Sequence, residues 1–191
     1  PVLTKRLVEV PEGLPGVAIA PEPKTPPAVQ PTFTQTLSAR RIIIWDVPVQ
    51  KEFVLRTLVA SLGQDAGTGG LERLFADIMK RESQGSTFFN EGVAFPHVRV
   101  EGLPKPVTAL GLTRQGVSDV STEKPIEFVF LILSPAQAPD IQVQLLGLAS
   151  RAAQNRHLLQ SLRSARTPEE ALMALRNWER PEGPNQTSPR K

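Results

Sequence analysis

The chain has 191 residues, 40% hydrophobic and 21% charged, with a formal net charge of +3, the makeup of one ordinary folded domain with extra sequence at its ends. It contains no Cys, no Tyr and only two His, which excludes disulfides, thiolate catalysis and Cys-based zinc sites. The cations are scattered without interleaved aromatics, so no nucleic-acid groove is expected, and no apolar run approaches the ~20 residues of a membrane-crossing helix.

In chain order, residues 1–39 are crowded with prolines (seven from Pro11 to Pro31). Such density blocks helices and sheet ladders, so the segment reads as a linker, with residues 16–20 a stray strand. The chain starts at Pro1 without Met, and Lys5 and Arg6 sit in an opening stretch like that following a last membrane span on its basic, cytoplasmic side. It therefore reads as part of a longer protein, attached to a membrane transporter upstream of Pro1.

Residues 40–178 are expected to hold the fold. Ile42, Ile43, Ile44 and Trp45 make a β-branched first strand. Pro48 opens a helix with Val54, Leu55, Leu58, Val59 and Leu62 at helical spacing. Residues 63–70 form a Gly-rich loop that lacks the Lys and Ser/Thr of a phosphate-binding P-loop. Leu71, Leu74, Phe75, Ile78 and Met79 mark a second amphipathic helix ending near Ser83. Residues 107–112 read as a strand, and the apolar run 126–133 as a central strand covered on both faces. A helix begins at Pro139 and Asp140, with Val143, Leu145, Leu146, Leu148 and Ala149 towards the core. A short helix follows around 157–162. The last starts with Thr167 as N-cap, Pro168 at its first position and Glu170 at its third. Residues 179–191 are a polar tail. Strands interleaved with helices predict a three-layer α/β domain with the sheet in the middle.

The chemistry concentrates between Arg81 and His97. An imidazole titrates near neutrality and can serve as nucleophile, proton carrier or metal ligand. Arg81 offers a planar cation suited to phosphoryl oxygens. Ser86 and Thr87 supply hydroxyls, Gly85 and Gly92 permit close backbone approach, and Pro96 restricts the chain leading into His97. These groups suit a phosphoryl group moving on and off nitrogen, a reaction that needs mainly positioning and charge stabilisation. No metal site is expected, because two distant histidines and scattered carboxylates give no ligand spacing, and no cofactor is called for. Phe88 and Phe89 read as packing under the turn, and His157 as a surface residue on a polar helix face.

Arg81-Glu82-Ser83-Gln84-Gly85-Ser86-Thr87, followed by Gly92-Val93-Ala94-Phe95-Pro96-His97, resembles the type-2 (fructose, mannitol and nitrogen-regulatory) EIIA domains of the bacterial phosphoenolpyruvate-dependent phosphotransferase system. The resemblance extends through Lys124-Pro125-Ile126, Asp140 and residues 167–170, covering roughly 38–178. It implies a mannitol-type EIIA-like fold, a three-layer sandwich with a central mixed sheet flanked by helices. It also implies that His97 is phosphorylated by a phospho-HPr-like donor and passes the group to an EIIB-like partner or transporter domain. Arg81 would stabilise the phosphoryl charge, and Ser86 and Thr87 would line the pocket. Gln142 falls where many relatives carry a second His and is assigned to the phosphoryl-binding set. Residues 88–91 replace the Gly-Ile-Gly-Asn common in relatives with Phe-Phe-Asn-Glu.

Two functions stay open at this level. One is a phosphohistidine-carrying, regulatory phosphotransferase component acting in the cytoplasm. The other is a non-transferring EIIA-like binding module that regulates an attached transporter or cation antiporter from the inner face of the membrane.

Overall fold

The fold is described by a computed structural model over residues 31–66, 69–88 and 92–180. Its centre is β5 (Phe128–Pro135), in which every residue is buried. Alternate side chains serve opposite faces: Phe128, Phe130 and Ile132 enter one core, and Val129, Leu131 and Leu133 the other. β4 (Val107–Thr113), also buried throughout, pairs antiparallel with β5, placing Leu110 opposite Phe130. β1 (Ile42–Trp45) runs parallel to β4 with Ile42 beside Leu110. On the other side of β5 lie β2 (Val93–Ala94) and β3 (His97–Val100), both parallel to it. The strand order is β1-β4-β5, then β2 and β3 along one edge.

One core lies between the sheet and α2 (Lys51–Leu62) and α3 (Leu71–Ser83). The other lies beneath α1 (Phe33–Thr36), α4 (Pro139–Gln154), α5 (Arg156–Ser164) and α6 (Pro168–Glu179). The mixed sheet between two helical layers expected from the sequence is present. Thr167 caps α6 by accepting from Glu170 N at 3.2 Å. Among the described residues no helix is long and apolar enough to cross a membrane.

Several boundaries differ from the sequence reading. The linker expected over 1–39 gives way to structure at its end. Thr32 and Gln35 form a capping box on α1, and Phe33 is fully buried, its ring 5.2 Å from that of Phe130. Residues 1–30, with the strand expected at 16–20, lie outside the described residues. Pro48 does not open α2, which begins at Lys51. Val49 is held extended beside Val117, with Ser118 N donating to its carbonyl at 2.9 Å, and Asp119 caps the helix by accepting from Lys51 N at 2.7 Å. Val143, expected in the core, is 67% exposed, while Gln142 takes the buried position beside it. Glu179, assigned to the tail, ends α6 and accepts hydrogen bonds from the backbone N–H groups of Phe33 and Thr34. The rest of that tail, from 181, is outside the described residues.

β2 and β3 were not anticipated as strands. Val93 pairs with Phe128 and His97 with Ile132, so the two pieces keep one register across Phe95 and Pro96. Pro96 has no N–H to continue the ladder, but its carbonyl accepts from Ile132 N at 2.9 Å.

Candidate active site

The amphipathic stripe of α3 carries Leu74, Phe75 and Ile78 into the core, and one turn later it carries Glu82, only 6% exposed. The helix ends there, and the chain turns back over this carboxylate. Thr87 N donates to Glu82 at 3.1 Å, Thr87 Oγ1 donates to Oε1, and Ser86 Oγ donates at 3.3 Å. The counter-ion comes from the first residue of α2: Lys51 Nζ lies 2.6 Å from Glu82 Oε2, 3.2 Å from Ser86 Oγ and 4.6 Å from the centre of the Phe88 ring. Arg81, half-buried on the last turn of α3, donates to Gly85 O at 2.9 Å.

This turn is joined to the edge of the sheet. Phe88 bridges antiparallel to Ala94, and Phe95 N donates to Thr87 O at 3.2 Å. The Phe95 ring stacks against Phe130 with centroids 6.1 Å apart. Its carbonyl faces His97, whose Nδ1 lies 2.8 Å away. A carbonyl oxygen can only accept, so Nδ1 carries the ring proton and Nε2 holds the lone pair of the neutral imidazole.

His97 and Arg99 pair with Ile132 and Ser134, so their side chains share the face towards α4. There Gln142 Oε1 accepts from Arg99 Nε at 2.9 Å and from Ser134 Oγ at 3.2 Å. Two donors on one oxygen fix the orientation of the amide. Arg81 and Arg99 also line a common groove of about 410 Å³ between α3 and β3, together with Arg73 and Lys80.

The sequence-predicted residues thus fall into two groups, and among the described residues the His97 ring itself bonds only to the Phe95 carbonyl. Ser86 and Thr87 gather around Glu82, Arg81 is tied to Gly85 of the same turn, and Gln142 joins Arg99 and Ser134. Gly92 serves the sheet: with φ +80° its carbonyl accepts from Glu127 N at 2.9 Å and Phe128 N at 3.2 Å. Residues 89–91 lie outside the described residues. Sequence reasoning missed Lys51, Glu82 and Arg99. For Glu82 a signal existed, a carboxylate falling on the apolar stripe of α3. For Lys51 there was none, because its contacts come from a separate helix.

The architecture is that of solved EIIA domains. It matches nitrogen regulatory protein IIA-Ntr from Neisseria meningitidis (TM-score 0.66, 24% identity, covering 75% of this chain and 98% of that one). It also matches the complex of enzyme IIA mannitol and phosphorylated enzyme IIB mannitol from Escherichia coli (TM-score 0.59, 17% identity, 74% and 97%). In sequence the chain is 26% identical over 126 residues to a fructose-specific EIIA component of Haloferax volcanii, covering 65% of this chain and 81% of that protein. It is 28% identical over 120 residues to a nitrogen regulatory protein of Pseudomonas aeruginosa, covering 62% and 78%. Residues 35–178 match the family model of the phosphoenolpyruvate-dependent sugar phosphotransferase system, EIIA 2, and the chain belongs to that family.

Proposed function

We propose that Nε2 of His97 accepts a phosphoryl group from a phospho-HPr-like donor and passes it to an EIIB-like partner or a transporter domain, in a regulatory role. The observation that carries this reading is the hydrogen bond from His97 Nδ1 to the Phe95 carbonyl. With the proton held there, the Nε2 lone pair attacks phosphorus while the electron pair of the breaking P–N bond returns to the donor nitrogen. No proton has to be removed from His97. The ring becomes cationic as the new bond forms, and its N–H bond to Phe95 strengthens at that moment. A cationic ring is also a good leaving group, which keeps the phosphoryl group transferable. Arg81 and Arg99, which line one groove, would supply permanent positive charge for the phosphoryl oxygens.

Such a relay works in the cytoplasm. A non-transferring binding module is the second reading. It is favoured by the commitment of Ser86 and Thr87 to Glu82, and of Gln142 to Arg99 and Ser134.

Incubation with phosphoenolpyruvate, the general phosphotransferase enzyme and HPr, followed by intact mass under alkaline conditions, separates the two. Transfer gives one added phosphoryl mass that His97→Ala abolishes. No added mass on folded protein, with a control EIIA domain labelled, overturns the transfer reading.

A further inference from the structure

Burying a carboxylate costs several kcal/mol unless its partners are well placed, and Glu82 is 6% exposed at the edge of a short surface turn. No step proposed above uses it or Lys51. The turn itself could be satisfied by water, so the buried pair fixes something the turn must hold still. A line of hydrogen bonds shows what that is. Thr87 N and Oγ1 donate to Glu82, Phe95 N donates to Thr87 O at 3.2 Å, and His97 Nδ1 donates to Phe95 O at 2.8 Å. Lys51 is held at its own backbone by Asp119 and at its ammonium by Glu82, Ser86 and the face of Phe88. It therefore anchors the far end of the line to α2.

We propose that Lys51 and Glu82 are positioning residues for His97. Their buried pair sets the 86–88 turn and through it the Phe95 carbonyl, which keeps the imidazole in the Nδ1–H tautomer with Nε2 free to react. Free histidine in water prefers the opposite tautomer, so the protein has to impose this one. The inference rests on His97 as phosphoacceptor only for its consequence on rate. Its consequence on the tautomer stands apart from that reading.

The test uses the full chain, ¹⁵N-labelled at histidine, at a pH where the rings are neutral. His157, exposed on α5, is the internal reference. Phosphoramidate serves as donor, so that partner docking plays no part. Lys51→Met/Glu82→Met removes both charges together and so leaves none buried without a partner; Glu82→Gln is the milder variant if the pair does not fold. The wild type is expected to show a protonated Nδ1 and a bare Nε2 at His97. The folded variant shifts towards the His157 pattern, and its phosphorylation rate at saturating donor falls about 10–100-fold, the range seen when the hydrogen-bond partners that orient metal-binding imidazoles are removed. Lys51→Arg, which keeps charge and donors, retains the wild-type ring spectrum. A folded variant with an unchanged His97 spectrum overturns the proposal, whatever the rates. Spectra that shift while even the wild type takes no phosphoryl group uphold the positioning and sink the phosphoacceptor reading instead.

Discussion

Among the described residues the fold buries two charged side chains below a tenth of full exposure, Arg41 at 8% and Glu82 at 6%. Each meets a more exposed counter-ion at 2.6 Å, Asp65 and Lys51 respectively. By burial and pairing they look alike; their remaining bonds do not. Arg41 Nη2 donates to Thr36 O at 2.9 Å and Nε to Thr108 O at 3.1 Å, tying the end of α1 to β4 and to the turn after α2. Burial holds its pKa below the ordinary value, opposed by Asp65. Glu82 instead collects donors from the turn beside His97. A buried charge is therefore no sign of function by itself; where its other hydrogen bonds lead is the informative part.

The contrast can be broken at either pair. Arg41→Met leaves two backbone carbonyls without their donor and Asp65 with only Arg40, so a loss of about 3 kcal/mol is expected on denaturant unfolding. The protein that stays folded should take a phosphoryl group at the wild-type rate. Thr87→Val removes one hydroxyl from Glu82, with an expected cost of about 1–3 kcal/mol and slower phosphorylation of His97. Combined in a double-mutant cycle, Thr87→Val and Arg41→Met should add to within about 0.5 kcal/mol, because the two networks share no partner; clear coupling would show that they act as one. The smallest effect is expected from Gln142→Ala, which takes the acceptor from Arg99 and from the fully buried Ser134. About 1 kcal/mol of stability should go. The rate should stay within roughly fivefold of wild type, the equivalent of that energy.

How far the sequence reached follows the same division. β5 was legible because both its faces are buried, leaving an unbroken apolar run, and α2 and α3 because each presents one apolar stripe. β2 and β3 were not, since two short pieces split by a proline take their pairing from β5. Nor was α1 legible. One turn of helix owes its order to Thr32 beside it and to Glu179, 146 residues from Phe33. At the site, residue type and spacing single out Arg81 and His97 as candidates. The Phe95 carbonyl could not be found that way, because backbone chemistry has no residue signature. Lys51 escaped because a lysine at the start of a helix is ordinarily solvated.

The contact of Glu179 with Phe33 and Thr34 has a mechanical consequence. The chain enters the described unit at residue 31 and leaves it at 180 almost side by side, so a pull across these points loads the clasp between α1 and α6 and spares the sheet. That clasp rests on the β1–β4 side, since α6 packs on β1 and α1 on β4. His97 lies on the opposite edge, three strand spacings from β1, or roughly 14 Å. The points where the described unit begins and ends therefore stand well away from the edge that carries the imidazole.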